Sequence, residues 1–456
     1  MESKGDEASH QPSNRIKPTS HSQFSVTSMQ DSSSLAIPTL LPELITEILL
    51  RLPVKSLLQF KCVSKSWLAL ISSQDFIKTH LSLSAKNEDY NHHKLMWRSC
   101  SNFKICSIRC LLCGSVVEAS DLEYPYKSFN IVGSAHGLIC LTDGAYELIL
   151  WNPTISKYKK LPASRPRLKN TNIFTYGFGF DECHDDYKVV GIFGRYKNGL
   201  LEDTQVNIYS LSSDSWRSKD DFPGGLQLLQ SGTFVNGKLY WATISGLNLN
   251  NGMGTRGIIS VDMADENWEK VEQPSCVGED FGLRLGVLGN YLSILCNSHS
   301  HVNLWVMKKY GVKESWAKMY TIKRPIPGKY VVTTPFCMSN KGEILVVFGS
   351  TSAIYNTKDD TIKYAEITNF GSCMKSAFYI ESLVCPISHQ KKRTAEDTVR
   401  MEAAKTQMND DYVPDLGSDG PSLIGSRRSS DDSNNADRVP DLESGNPSIG
   451  SRRSSD

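Results

Sequence analysis

Residues 40–81 read LLPELITEILLRLPVKSLLQFKCVSKSWLALISSQDFIKTHL. Leu41, Leu44, Ile45, Ile48, Leu49 and Leu52 follow the i, i+3, i+4, i+7, i+8, i+11 series, which lays them on one apolar face of a helix. Pro42 suits the first turn, where its missing N–H costs nothing. Glu43 and Glu47 lie toward the positive end of the helix dipole, and Glu47 is spaced to pair with Arg51. Pro53 stops this helix and pre-sets a second one bearing Val54, Leu57 and Leu58. Ser64 is placed to cap a third helix with Trp67, Leu68 and Ile71, and Phe76, Ile77 and Leu81 finish the unit. A unit of about forty residues is marginal alone, so it must pack on the rest of the chain or on a partner.

The zone downstream, 92–387, is rich in β-branched and aromatic residues punctuated by Gly, Asn and Asp. One element is a tight turn leading into an apolar strand: AHGLICL at 135–141, FVNGKLYW at 234–241, GVLGNYLSIL at 286–295 and MSNKGEILVV at 338–347. Gly and Asn there supply the positive φ of a hairpin turn. A second element is an apolar strand, a polar turn, and an aromatic near the start of the next strand. It recurs as LILWNPTISKYKKLP at 148–162, VNIYSLSSDSW at 206–216, IISVDMADENW at 258–268, NLWVMKKYGVKESW at 303–316 and AIYNTKDDTIKY at 353–364. The trailing aromatics Tyr158, Trp216, Trp268, Trp316 and Tyr364 stand 58, 52, 48 and 48 residues apart.

A repeat near ~50 residues with several strands per unit is the pattern of a β-propeller of kelch-like length. Five units fit between 133 and 367, and a sixth would join strands from 94–120 with the last strand at 376–384, closing the ring without a free edge. Five or seven blades remain open. A β-sandwich is the competing architecture, but a single sandwich of this length is unusual and would not require matching units. The expected fold is therefore α+β and multidomain: a polar disordered arm at 1–36, a helical unit at 37–83, an all-β propeller of about six blades at 92–387, and a disordered tail at 388–456. A closed ring needs no cover, which favours a partner protein as the surface on which the helices pack.

The words Leu41-Pro42, Ile48-Leu49, RLPVKSL at 51–57 and CVSKSW at 62–67 resemble the F-box of plant F-box proteins. AHGLIC at 135–140, LWNPT at 150–154, YGFGFD at 176–181, DYKVV at 186–190, VNIYSL at 206–211 and NGKLYW at 236–241 are similar to the F-box-associated domain found behind such boxes. The resemblance implies a non-catalytic receptor of an Skp–cullin–F-box ubiquitin ligase. The box would dock on the Skp adaptor, which tethers the cullin scaffold, and the propeller would hold an unidentified protein substrate. By motif position the adaptor-binding residues are Leu41, Pro42, Ile45, Ile48, Leu49, Leu52, Pro53, Leu57 and Trp67, with Ile48 and Trp67 the two expected to brace the helices instead. The alternative is a propeller scaffold or binding protein acting outside a ligase.

Other chemistries find little support. The net charge of +1 draws the chain neither to nucleic acid nor to a membrane surface. Without a stretch of ~20 apolar residues or a leader-like amino terminus, the expectation is a soluble protein of the cytoplasm or nucleus. Its twelve cysteines then serve mostly as small buried hydrophobes. Cys100, Cys106, Cys110 and Cys113, with His92 and His93 upstream, lack a second ligand pair at finger spacing, and Ile105, Ile108, Leu111 and Leu112 among them read as strand core. No cofactor or metal is expected. GFGF at 177–180 lacks the third glycine of a dinucleotide loop, His136 sits beside a hairpin glycine, and His184-Asp185-Asp186 reads as a turn. In the tail, VPDL and GSRRSSD occur twice, at 413–416 and 425–431 and again at 439–442 and 450–456. Arg-Arg-x-Ser marks Ser430 and Ser455 as possible phosphorylation sites within a solvated tail. Lys391-Lys392-Arg393 is a surface cluster rather than a strong nuclear signal.

Overall fold

Apolar runs such as LICL and LILW cannot belong to strands with one wet face, because they do not alternate. In the computed structural model both faces are covered. Leu138 and Cys140 pack toward the next unit while Ile139 and Leu141 pack toward the preceding one, and Leu148 and Leu150 divide from Ile149 and Trp151 in the same way. The structure describes residues 40–387 apart from 100–101, 115, 123–128, 145, 165–172, 198–199, 220, 225, 249–252, 275–282, 299, 324–331, 349–350, 372 and 374. The arm at 1–36, the tail with Ser430 and Ser455, and Cys100 lie outside the described residues.

The ring has six antiparallel blades. Blade 1 runs from Asn130–Ala135 through Leu138–Thr142 and Leu148–Asn152 to Lys157–Lys160, from the axis outward. Blades 2, 4 and 5 begin at the inner strands Ile173–Asp181, Leu283–Leu288 and Val332–Met338, and the inner edge of blade 3 is split into Gln227–Leu228 and Thr233–Val235. The closing blade takes its inner strand, Lys375–Ile380, from the end of the ring and pairs it in register with His93–Arg98. Phe103–Ser107 and Ser120–Leu122 complete it. Six hydrophobic clusters lie one between each pair of neighbouring blades, so every blade is stabilised by the two beside it.

The recurrent aromatics Tyr158, Trp216, Trp268, Trp316 and Tyr364 all sit on outermost strands. Two of them clasp the preceding blade: Trp216 Nε1 donates to the Pro162 carbonyl at 2.7 Å and Trp316 Nε1 to that of Glu272 at 2.8 Å. The turns before four of the outer strands hold Ser156, Asp214, Glu266 and Asp360 at positive φ. Three of these acids accept a lysine from the preceding blade, with Lys159–Asp214 at 3.0 Å, Lys188–Glu266 at 2.9 Å and Lys323–Asp360 at 3.5 Å.

Some local expectations fail. Ile108–Leu112 is a short helix rather than strand, capped by the Ser107 hydroxyl and burying Ile108 and Leu111 against blade 5. Of the ten described cysteines, all free, Cys106, Cys140, Cys296 and Cys337 are buried but Cys62, Cys110, Cys113 and Cys183 are exposed, so burial is not the general rule.

The helical unit has four helices: α1 (Pro42–Leu50), α2 (Val54–Phe60), α3 (Lys65–Ser72) and α4 (Gln74–Ala85). Ser64 caps α3 through the Trp67 N–H as its spacing predicts. Ser73 separates α4 by taking an extended conformation and accepting from the Phe76 N–H. These helices are not left free by the ring. Leu49, Leu50, Val54, Leu57, Ile71 and Phe76 form one core with Leu383, which lies just past the closing strand, and Ile155 packs at its edge. Asn152 Nδ2 holds the segment carrying Leu383 by donating to the Ser382 and Val384 carbonyls at 3.0 and 2.8 Å. Gly137 lets that segment pass, since a Cβ there would lie 2.2 Å from Ser382 Oγ.

Histidines fill the seam. His80 Nε2 lies 2.9 Å from the Leu52 carbonyl, and its ring meets that of His92 edge-on with centroids 5.7 Å apart. The Nδ1 atoms of His80, His92 and His93 are buried without a partner among the described residues. Burial lowers all three pKa values below the ordinary histidine value, that of His93 to about 4, with neighbouring cationic groups adding to the effect at His92 and His93.

Two outcomes are expected. Leu383→Ala opens a cavity in the helical core and costs about 2–5 kcal/mol locally; hydrogen exchange then shows α1 and α4 losing protection while strand amides of blades 2 to 4 keep theirs. The histidines fold neutral, whereas the unfolded chain protonates near pH ~6.5. Stability is therefore fully present above that pH and is lost as pH falls from ~6.5 toward 4, read as a falling urea midpoint, with a shallower slope in His93→Gln.

Candidate functional site

The apolar stripe of α1 is wider than the core it serves. Leu49 is 1% exposed and Leu57 fully buried, while Leu41, Leu44 and Ile48 remain 63%, 48% and 52% exposed. Pro42 opens α1 and is exposed, as is Pro53 at the entry to α2. Ile45 and Leu52 are half-buried on the border between the two sets. Trp67 is half-buried against Phe60, with ring centroids 5.5 Å apart and planes nearly perpendicular. The nine residues singled out by motif position thus divide. Leu49 and Leu57 serve the interior, Trp67 braces α2 against α3, and Leu41, Pro42, Ile48 and Pro53 face outward. Ile48, expected as a brace, is instead on the open side.

Position-by-motif reasoning omitted Leu40, Leu44, Val63 and Leu68 from this group, all between 47% and 59% exposed. Leu44 was visible in the helical series, being one turn from both Leu41 and Ile48. Val63 carried no such signal, since it follows the end of α2 and only the tertiary arrangement leaves it bare. Exposed large side chains scattered singly are ordinary, but Leu41, Leu44 and Ile48 form a ridge on one helix. A ridge of that kind is suited to burial against another protein. Its charged neighbours contribute little: Arg51 Nη2 reaches Glu47 at 3.5 Å in an exposed pair, worth a few tenths of a kcal/mol at most.

The helices occupy one face of the ring. Lys78 Nζ of α4 meets Asp185, in the first hairpin turn of blade 2, at 2.6 Å, and Tyr90 reaches the Met338 carbonyl at the end of the blade 5 inner strand. In an antiparallel meander the second-to-third strand turns and the crossings between blades therefore lie on the opposite face. The stretches 164–174, 195–204 and 245–256 lead toward that face in their described residues, with 165–172, 198–199 and 249–252 lying outside the described residues. Two of them are less loop-like than their composition suggests, since Asp186–Lys197 pairs with Leu200–Ser210 and Lys238–Asn248 with Met253–Asp262 as extended hairpins.

Residues that hinted at catalysis have structural work. Gly177 and Gly179 lie in a strand where a Cβ would come 2.7 Å from Trp241 and 2.5 Å from Phe234, so the pair permits close blade packing. Asp181 accepts from the Cys183 and His184 N–H groups and from Lys188, shaping the turn around Asp185. Burial opposes its charge, but those hydrogen bonds hold its pKa below the usual carboxylate value. Among the described residues no group of three His, Cys, Asp or Glu is placed to hold a metal ion, and no helix is long and apolar enough to cross a membrane.

Comparison with known proteins agrees with this architecture. The F-box domain signature matches residues 37–79, and that of the F-box associated beta propeller domain matches residues 96–386. An F-box/kelch-repeat protein of Arabidopsis thaliana is 33% identical over 358 residues, covering 75% of this chain and 95% of that protein. The F-box protein CPR1 of the same plant is 27% identical, covering 84% of this chain and 98% of its own. The chain belongs to the F-box proteins that carry an F-box-associated β-propeller domain.

Proposed function

We propose that this protein is the substrate-recognition subunit of an Skp–cullin–F-box ubiquitin ligase. The observation that carries the reading is the exposed ridge Leu41, Leu44 and Ile48 on a helical unit whose other side is already packed on the ring. In this role the ridge docks on the Skp adaptor, the adaptor tethers the cullin, and the open face of the propeller holds a protein substrate. The chain forms no covalent bond itself. Its contribution is proximity, raising the effective concentration of substrate lysines near a charged conjugating enzyme. Packing of the box through Leu383 supports such a role, because a fixed angle between adaptor and substrate preserves that proximity. Free thiols at all ten described cysteines accord with the cytoplasm or nucleus as the site of action.

Ile48→Asp places a charge in the docking ridge while leaving the helical core intact. It is expected to weaken adaptor binding by at least about 2 kcal/mol, some 30-fold in Kd, with an unchanged unfolding midpoint. Leu57→Ala is expected to do the reverse, lowering the stability of the box by about 2–5 kcal/mol because its side chain is wholly interior. Calorimetric titration of the full chain with an Skp adaptor distinguishes the two, and wild-type affinity in Ile48→Asp would sink the assignment. A cullin recovered with the wild-type complex separates ligase assembly from a scaffold that uses the adaptor alone.

A further inference from the structure

The axis of the ring is an open channel of about 440 Å³. Small residues on the inner strands, among them Gly133, Ser134 and Gly286, keep it open. One end is lined by Ala85, Tyr90 and His93 beneath the helical unit, the other by Gln230, Ser231 and Lys375. The inner strands run toward the helices, so Lys375, the first residue of the closing strand, lies at the far mouth.

Among the described residues that mouth is cationic without a matching acid. The described lining of the channel contains no Asp or Glu. Lys375 Nζ donates to Ser231 Oγ at 2.9 Å, and Arg284, near the start of the blade 4 inner strand, donates to Gln230 Oε1 at 3.4 Å. Arg98, directly across the strand pair from Lys375, donates to Asn130 Oδ1. All three cations are thus met by hydroxyl or amide oxygens, and no ion pair to a carboxylate joins them among the described residues. Burying a cation with only neutral partners is costly. Here the cost is visible: burial lowers the Lys375 pKa to about 8, with Arg284 adding repulsion, and burial lowers that of Arg284 as well. Yet Lys375 retains partial solvent exposure through the channel, so an incoming group can reach it.

We propose that the channel mouth formed by Lys375, Ser231 and Gln230, with Arg284 held beside it by Gln230, is a binding site for an anionic oxygen group, a carboxylate or a phosphate. A lysine and an arginine flanked by hydroxyl and amide donors offer charge-assisted hydrogen bonds to such a group. The anion supplies a counter-charge that the described lining residues do not. The site is independent of adaptor docking, since it lies at the end of the channel remote from the helices. The anion can be free in solution or borne by an acidic peptide, and the two sources are separable by experiment.

The test is titration of the full-length protein with inorganic phosphate and, separately, with a triglutamate peptide, followed by calorimetry and thermal shift. Saturable binding of either probe is expected, weakened tenfold or more in Lys375→Met and in Arg284→Met and largely restored in Lys375→Arg. Affinity should fall as pH rises from 7 to 9, because the binding form is the charged lysine. Tighter binding of phosphate identifies a free anion as the ligand, and tighter binding of triglutamate identifies a peptide. Circular dichroism and unfolding midpoints confirm that each variant is folded, and the two methionine variants serve as independent checks should one fail. Absence of saturable binding by both probes, or binding unchanged in folded Lys375→Met and Arg284→Met, overturns the proposal.

Discussion

Six facing residue pairs of an antiparallel ladder between Lys375–Ile380 and His93–Arg98 join the two ends of the propeller. Every other feature depends on them. Each blade buries its faces against two neighbours, so a ring left open at this seam would expose the clusters on both sides of the closing blade. It would also expose the polar edge of an inner strand. The pairing spans nearly the whole propeller in sequence, and such a contact forms only after a large loss of chain entropy. The blade-to-blade clasps from Trp216 and Trp316 and the lysine–acid pairs at the turns then hold neighbouring blades together near their outer strands, where the shared core ends.

The same seam organises both ends of the molecule. Past Ile380 the chain turns across the helical face, held by Asn152, and delivers Leu383 into the core of the box. The box is thereby tied to ring closure even though it comes first in sequence. At the other end of the same strand, Lys375 sits in the channel mouth. One six-residue strand thus closes the ring, leads into the segment that seats the helical unit and places Lys375 at the opposite mouth of the channel.

Much of this was legible in residues. The blade grammar was readable because each unit must solve the same packing problem. A tight turn at His136-Gly137 and Asn236-Gly237 adopts positive φ at both positions, and each trailing aromatic lands on an outer strand. The sixth blade was readable because a propeller without an edge needs its last strand beside its first. The helical words were readable through spacing and caps. Less legible was Ile108–Leu112, whose apolar residues fit helix or strand over so short a run. The split between α3 and α4 depended on Ser73 extending, which neighbouring serines disguised. The exposed thiols of Cys110 and Cys113 followed from that unexpected helix.

By itself, the sequence determined which segments are helix and which are blade, since periodicity and turn chemistry are local properties carried by neighbouring residues. It also determined the family, through words that recur in order along the chain. What it could not determine was the side on which each apolar residue of α1 would be used. Leu41, Leu44, Ile48 and Leu49 belong to one helical stripe, yet Leu49 is interior and the others are bare. That division was made by the core in which Leu49 packs, built from Val54, Leu57, Ile71 and Phe76 of the other helices and from Leu383, some 330 residues away. Only tertiary structure decides such a boundary, because burial depends on what approaches a side chain as well as on what the side chain is.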